Sequence, residues 1–311
     1  MELCRLQRFV PAEMWDLKDV FYTEQDQALL EAMLDENGET SEPMSAAEIA
    51  ATLGLEGAAD ELLEDAYHRF VVDKVEADDG IRFVPRAPED MFNDWTVFNQ
   101  DAYRALPDEA RKTIADWLFE GFMESKRHLT KEELWNRGNK VLPMEQAKEF
   151  LREMSDRFTV IPCDCHCKYE GETGYTKNTC ISYEHGLNTH EDRKVGIPMD
   201  LDQAMELVEE ADRIGLVHCP ELGFLCNCNR KYCYPMRGSF ALGVVGTYPN
   251  ILYRVTFDES RCIGCGVCLS RCQFDVFTLE GGVVSLDKEK CWGCGLCANT
   301  CPGGALGVEE L

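Results

Sequence analysis

The chain has 311 residues, enough for about two or three domains and for a large core without covalent cross-links. Its 57 acidic and 31 basic residues give a net charge of -26, which argues against binding to nucleic acid or to anionic lipid. There are 17 cysteines, and all of them except Cys4 follow residue 160. Small size does not explain this local enrichment, so the second half of the chain is expected to bind metal.

The first residues, MELCRLQRFVPAEMWDLKD, show no basic region followed by an apolar segment and a cleavage site, so no secretory signal is predicted. Apolar stretches such as FALGVVG are too short to span a bilayer. These observations favour a soluble cytoplasmic protein. In that compartment clustered cysteines are more often metal ligands than disulfides.

Residues 1–90 are predicted to form a first, mainly helical domain. The segment TEQDQALLEAML predicts a helix with four apolar residues on one side, namely Leu29, Leu30, Met33 and Leu34. Ser45 and Glu48 have the spacing of a capping box at the start of a second helix. Residues 57–75 are predicted to form a third helix, with apolar positions at Leu62, Leu63, Tyr67, Phe70 and Val71. The segment EADDGIRFVPR then predicts a hairpin that turns at Asp79-Gly80.

This order of elements resembles winged-helix domains, whose best-known function is DNA binding. The third predicted helix, ADELLEDAYHRFVVDK, carries more acidic than basic residues, whereas DNA affinity depends on Lys and Arg. A structural or protein-docking role is therefore predicted. Residues 91–160 are predicted to form a helical connector, because PDEARKTIADWLFEGFMES and LPMEQAKEFLREMSDRF are helical in pattern.

Residues 161–248 are predicted to form a cysteine-rich metal-binding domain. It holds eight cysteines: Cys163, Cys165, Cys167, Cys180, Cys219, Cys226, Cys228 and Cys233. In IPCDCHC the cysteines alternate with polar residues, so an extended segment would direct three thiols to one face. The segment LCNCNRKYC is predicted to be a loop. The helix predicted in LDQAMELVEEADRIGL would fold this second group back onto the first.

Eight thiolates suffice for two [4Fe-4S] clusters, for one cluster and a zinc ion, or for one site with spare cysteines. One or two additional [4Fe-4S] clusters are predicted here, with zinc as the alternative. Four histidines lie in the same region, and for each a surface or structural role is predicted in preference to ligation: His166, His185, His190 and His218. Of these, His218 is the first to test as a ligand because it adjoins Cys219.

Residues 249–311 contain two cysteine runs, RCIGCGVCLSRCQ and KCWGCGLCANTCP, with the same C-x-x-C-x-x-C-x-x-x-C spacing. Three cysteines at intervals of three can wrap three corners of an iron–sulfur cube while backbone N–H groups point at its sulfides. Glycines between the cysteines permit that curl, at Gly264, Gly266, Gly293 and Gly295. Between the runs, DVFTLEGGVVSLD predicts a hairpin with Gly281-Gly282 at its turn.

The C-terminal segment resembles bacterial ferredoxins that hold two [4Fe-4S] clusters. The resemblance implies that the fourth cysteine of each run binds the cluster of the other run. The implied ligand sets are Cys262, Cys265, Cys268 and Cys301 for one cluster, and Cys291, Cys294, Cys297 and Cys272 for the other. The usual proline after the fourth cysteine is present at Pro302 but replaced by Gln273 in the first run. This change is expected to alter solvent access or hydrogen bonding at the cluster that Cys272 binds, and hence its reduction potential.

A wider resemblance rests on VLPMEQAKEFLREMSDRFTVIPCDC, EEADRIGLVH and LCNCNRKYC, followed by the two cysteine runs. Together these are similar to multi-cluster ferredoxin-type proteins of anaerobes, and the resemblance implies an electron carrier or a redox subunit. In such relatives an arginine is expected at the position of His166, and a more cysteine-dense group around Asn227. These two residues depart from the pattern.

The predicted fold class is α+β, with a winged-helix-like N-terminal domain, a cysteine-rich middle domain and a ferredoxin-like C-terminal domain. The predicted function is electron transfer to or from a partner oxidoreductase that carries flavin, corrinoid or another cofactor. No nucleotide-binding glycine motif is present, so catalysis is assigned to the partner. The alternatives are a redox-sensing transcription regulator and a reductase with its own open iron site.

Overall fold

The computed structural model describes residues 4–55, 59–169 and 178–311. The chain divides into two compact units, one comprising Met1–Gly121 and His185–Val195, the other Phe122–Glu184 and Gly196–Leu311. Both helices and strands are present, which confirms the predicted α+β class. Within the described ranges, no helix is both long enough and apolar enough to cross a membrane.

The first unit is mainly helical and contains one hairpin. Its helices are α1 (Arg5–Phe9), α2 (Lys18–Phe21), α3 (Glu24–Met33), α4 (Ala46–Leu53), α5 (Ala59–His68), α6 (Pro88–Phe98), α7 (Gln100–Ala105) and the larger part of α8 (Asp108–Arg127). The hairpin strands are β1 (Val72–Ala77) and β2 (Gly80–Pro85), which pair in antiparallel fashion. Three helices followed by a hairpin are thus observed from α3 to β2.

Local sequence signals explain where α3 and α4 begin. Thr23 and Asp26 form a capping box at α3, and Ser45 and Glu48 form the predicted one at α4, so backbone N–H groups at each helix start are satisfied. The four predicted apolar residues of the α3 segment are buried, and they belong to the core of this unit.

Helix α5, which corresponds to the helix predicted over residues 57–75, is shorter than predicted. It ends at His68, and Phe70 then adopts a left-handed backbone conformation with φ of 66° before β1 begins at Val72. Two consecutive β-branched residues at this point favour a strand over a helix. The predicted start at residue 57 lies outside the described residues. Because Ala77 pairs with Gly80, the turn is formed by Asp78 and Asp79, one residue earlier than predicted.

The second unit combines helices with several small sheets. Its remaining helices are α9 (Lys131–Asn136), α10 (Met144–Met154), α11 (Asp164–Lys168), α12 (Leu201–Ile214), α13 (Tyr234–Leu242), α14 (Val267–Arg271) and α15 (Leu296–Asn299). Its strands are β3 (Lys140–Val141), β4 (Arg157–Pro162), β5 (Asn178–Ser182), β6 (Ile197–Asp200), β7 (Val217–Glu221), β8 (Phe224–Cys228), β9 (Asn250–Ile251), β10 (Tyr253–Phe257), β11 (Phe277–Glu280), β12 (Val283–Leu286) and β13 (Leu306–Glu310).

A five-stranded antiparallel sheet carries much of the cysteine-rich segment. Its strand order is β6-β4-β5-β8-β7. Apolar residues of α10, α12 and the sheet share one core, which includes Leu151, Val160, Val208 and Leu225. The helices in LPMEQAKEFLREMSDRF and LDQAMELVEEADRIGL are confirmed as α10 and α12.

The C-terminal segment is built from two ladders, β10 with β13 and β11 with β12. The hairpin of β11 and β12 turns at Gly281-Gly282, as predicted. Both glycines have positive φ, 59° and 84°, which is the geometry that a two-residue hairpin turn of this kind requires.

Candidate metal centres

Each C-terminal cysteine run begins in the same way. Asp258 and Asp287 each accept a backbone N–H at the start of a short 3-10 turn, and the first cysteine of the run follows that turn. The glycines between the cysteines all have positive φ. A Cβ atom at Gly293 would overlap the carbonyl oxygen of Tyr253, so the loop can approach β10 this closely only with glycine there.

The first C-terminal cavity is lined by cysteines of both runs, namely Cys262, Cys265, Cys268 and Cys301. The backbone N–H of Ala305 donates to Cys301 Sγ at 3.3 Å. Burial opposes the charged form of Cys301, but backbone N–H groups outweigh it and lower the pKa of this thiol. Cys265 is exposed, so this cavity lies at the surface of the protein.

The second C-terminal cavity has the reciprocal composition, with Cys291, Cys294, Cys297 and Cys272 in its lining. Backbone N–H groups of Val255 and Gly293 donate to Cys291 Sγ at 3.4 and 3.3 Å. Burial raises the pKa of Cys294 to about 12. Thiols buried in this way ionise at neutral pH only when a nearby cation stabilises the thiolate, as iron does.

Residues 255–307 match the family model of the 4Fe-4S dicluster domain. No curated protein and no solved structure shows a significant similarity to the chain. The match covers the two cysteine runs and the hairpin between them, and it supports [4Fe-4S] clusters and an iron–sulfur electron-transfer role. The residues present fit such clusters, because four thiols and several backbone N–H donors converge on each cavity.

The middle cysteines are brought together by strand register. Cys180 of β5 lies opposite Cys226 of β8, and Cys226 in turn lies opposite Cys219 of β7. Residues directly opposite in neighbouring strands share a face of the sheet, and Cys228 shares it too because it follows Cys226 by two residues. The segment LCNC is therefore a strand, and the prediction of a loop was wrong for this part of LCNCNRKYC.

The first group of middle cysteines, Cys163, Cys165 and Cys167, lies at a helix and not on an extended segment. The prediction of an extended segment was therefore also wrong. Cys163 precedes α11, and its carbonyl accepts the backbone N–H of Cys167 at 2.9 Å, which closes a helical turn. Residues two apart in a helix point in different directions. Cys163 and Cys165 line the middle cavity, whereas Cys167 is buried in α11 and is not part of the lining.

The middle cavity is lined by six cysteines, namely Cys163, Cys165, Cys219, Cys226, Cys228 and Cys233. Cys163 Sγ lies 3.8 Å from Cys228 Sγ, and Cys180 Sγ lies 4.0 Å from Cys226 Sγ. Seven of the eight predicted thiols thus meet at one place. Among the described residues, no group of three or more His, Cys, Asp or Glu side chains is arranged to hold a single metal ion.

The thiols of this cavity influence each other's ionisation. Hydrogen bonds from Cys165, Cys180 and Cys228 lower the pKa of Cys163, because its thiolate accepts all three. Contact with Cys163 raises the pKa of Cys228. The hydrogen bond from Cys180 lowers the pKa of Cys226, but burial and nearby negative charge outweigh it and raise the value to about 11. One thiolate at a time is therefore favoured unless a cation enters the cavity.

Four polar residues of the middle cavity were not among the predicted site residues. Lys126, Asp164 and Glu221 line it, and burial raises the pKa of the Glu221 carboxyl. Tyr234 lines it as well, and its backbone N–H donates to Cys165 Sγ at 3.4 Å. Two of the four have a sequence signal, since Asp164 lies between Cys163 and Cys165 and Tyr234 follows Cys233 directly. Lys126 and Glu221 lie far from each other along the chain.

None of the four histidines lines the middle cavity. His218 is buried, lies opposite Asn227 in the pairing of β7 with β8, and donates through Nδ1 to Asn227 Oδ1 at 2.6 Å. His166 is buried against the ring of Tyr232 at 4.7 Å between centroids. The remaining two belong to the first compact unit, where His185 contacts a glutamate and His190 contacts Asp94.

Proposed function

We propose that this protein relays electrons between a donor and a partner oxidoreductase. The observation that carries the proposal is the reciprocal composition of the two C-terminal cavities, each of which takes three thiols from one run and one from the other. Two clusters that each take ligands from both runs lie close together, and electron transfer between them requires a short distance.

The proposed ligands are those that the ferredoxin resemblance implies: Cys262, Cys265, Cys268 and Cys301 for one cluster, and Cys291, Cys294, Cys297 and Cys272 for the other. A bound [4Fe-4S] cluster supplies one-electron oxidation and reduction. The chain holds each cluster through its thiolates and directs backbone N–H groups toward the sulfur atoms. Such hydrogen bonds, together with solvent exposure, set the reduction potential.

We further propose at least one additional [4Fe-4S] cluster in the middle cavity. Six lining thiols exceed the four ligands of a tetrahedral zinc site, and a seventh thiol lies in contact with the group. The surplus of buried thiols favours a cluster, with zinc as the alternative. Cys167 is the thiol with the least support as a ligand, since it does not line the cavity.

The first unit is proposed to be a winged-helix-like domain that docks a protein. Helix α5, the third helix of the winged-helix order, has the sequence ADELLEDAYH, in which acidic residues outnumber basic ones. Such a surface repels the phosphates of DNA and attracts a basic protein face. The proposed partner is an oxidoreductase that carries flavin, corrinoid or another cofactor, and the proposed location is the cytoplasm.

Anaerobic purification followed by analysis of iron, zinc and acid-labile sulfide tests the cluster content. About eight irons per chain are expected from the C-terminal clusters alone, and about twelve or sixteen if the middle cavity is loaded. Zinc without sulfide, and no paramagnetic signal after reduction, would contradict the proposal.

The crossed ligation is tested by comparing three single variants by EPR. Cys301→Ser should alter the same component of the reduced spectrum as Cys265→Ser, because both side chains line the first cavity. Cys272→Ser should alter the other component. If Cys272→Ser and Cys265→Ser instead changed one component and Cys301→Ser the other, each run would bind its own cluster.

A further inference from the structure

Gln273 joins two cysteine-bearing segments of the second unit. It follows Cys272 directly, at the position that Pro302 occupies after Cys301 in the second run. The Gln273 side-chain oxygen accepts the backbone N–H of Arg230 at 2.8 Å, and its side-chain NH₂ donates to the carbonyl of Gly215. Proline could make neither bond. The replacement of proline by glutamine in the first run therefore has a structural consequence.

Both partners of Gln273 belong to the middle segment. Arg230 lies between Cys228 and Cys233, which line the middle cavity, and Gly215 caps the C-terminal end of α12. A short path of covalent and hydrogen bonds thus connects Cys272, in the second C-terminal cavity, to the thiols of the middle cavity. The carboxamide is oriented for both contacts, since its oxygen faces a donor and its nitrogen faces an acceptor.

Neighbouring contacts hold the same two parts of the unit together. Trp292, which follows Cys291, is 2 % exposed and stacks on Phe274 with centroids 4.5 Å apart. Its ring also lies 5.4 Å from that of Phe240 in α13. The Arg271 guanidinium donates to backbone carbonyls at the end of α12, including that of Asp212. The second C-terminal cavity is therefore attached to the middle segment.

We propose that Gln273 is a positioning residue that fixes the separation and the electronic coupling between the cluster bound by Cys272 and the metal centre of the middle cavity. The inference rests on the proposed function, and it orders the relay. The cluster bound by Cys272 exchanges electrons with the metal centre of the middle cavity. The cluster bound by the exposed Cys265 exchanges electrons with the external partner.

The physical reason is that the rate of electron transfer falls steeply with the distance between centres and depends on the bonds that connect them. A side chain of the C-terminal segment that makes two hydrogen bonds to the middle segment restrains that distance, provided that both bonds are made. Gln273→Ala removes both bonds. Gln273→Glu keeps an acceptor for Arg230 but cannot donate to Gly215 when it is ionised.

The test compares wild type, Gln273→Ala and Gln273→Glu, with Thr278→Ala as an exposed control in the same domain. Iron and sulfide content is measured first, and the magnetic interaction between reduced centres is then recorded by EPR. Gln273→Ala should retain all clusters but weaken the interaction between the middle centre and the cluster bound by Cys272, and electron redistribution after rapid partial reduction should slow. Thr278→Ala should match wild type.

Several results would overturn the inference. One is an unchanged interaction and an unchanged redistribution rate in Gln273→Ala at full iron content. If Gln273→Ala loses iron, Gln273→Glu decides, since a Gln273→Glu protein that is fully loaded and indistinguishable from wild type also contradicts a positioning role. A wild-type protein with clusters only in the C-terminal cavities would refute this inference but leave the C-terminal part of the proposed function intact.

Discussion

Replacement of Arg193 by methionine should strongly destabilise the first compact unit. The Arg193 side chain is fully buried, and its guanidinium donates to the carbonyls of Tyr67 and Val72 and to the carboxylate of Asp73. It also lies 4.1 Å from the centre of the Tyr67 ring and 5.0 Å from that of Phe70. Burial lowers the pKa of Arg193, and repulsion by Arg86 adds to this effect. The charge is tolerated because its hydrogen-bonding groups are paired.

The magnitude follows from the groups that lose a partner. Methionine fills part of the space but leaves two buried carbonyls without this donor, and Asp73 retains its ion pair with Arg86 at 3.0 Å. Breaking a buried ion pair from one side costs about 3–5 kcal/mol. Because Asp73 retains one cation, we expect about 3 kcal/mol. With a urea dependence of about 2 kcal/mol per M, the midpoint should fall by about 1.5 M.

Tryptophan fluorescence during a urea titration under anaerobic conditions measures this change. Three of the five tryptophans lie in the first unit, at Trp15, Trp95 and Trp117, so its unfolding is visible. Lys112→Met is the matched control, because it removes a cation from an exposed ion pair with Asp116 in the same unit. Equal midpoints for Arg193→Met and Lys112→Met would refute the reasoning about the buried guanidinium.

Two further predictions concern one glycine loop and one buried tyrosine. Gly293→Ala should reduce the iron content of the protein far more than Gly281→Ala. Both positions have positive φ, but of the two only Gly293 is closely approached by the backbone of another segment. Equal losses of iron in the two variants, measured by iron analysis, would rule out this steric argument. Burial and then the hydrogen bond to Asp192 raise the pKa of Tyr67 to about 12 from 10.0, so its contribution to stability is present below pH 10 and is lost as the pH rises toward 12. Tyr67→Phe should therefore flatten the decline of the urea midpoint in that interval, and an unchanged slope would contradict the assignment.

Sequence spacing was sufficient for several elements whose determining contacts lie within a few residues. The capping box of Ser45 with Glu48 and the hairpin turn at Gly281-Gly282 were predicted correctly because each depends on neighbours along the chain. The two C-terminal cysteine runs were also predicted from neighbours along the chain, since the curl of each loop depends on cysteines and glycines in direct succession. The family-model match over residues 255–307 confirmed the domain that this spacing predicts.

The end of α5 was harder to predict, because several apolar residues continue the pattern of the helix beyond His68. Phe70 and Val71 are buried as predicted, but they are buried from a turn and not from a helix. Burial alone does not distinguish these backbone conformations. Pairing of β1 with β2 decides between them, and that pairing is a contact between segments.

Length, composition and cysteine spacing determined that the chain carries iron–sulfur chemistry at its C-terminal end. Only the tertiary structure decided which middle thiols meet, since Cys180, Cys219 and Cys226 are brought into line by the register of three strands. The same is true of Gln273, whose partners lie more than forty residues away along the chain. Strand register and side-chain contacts of this range depend on the packing of the whole unit, which local periodicity does not encode.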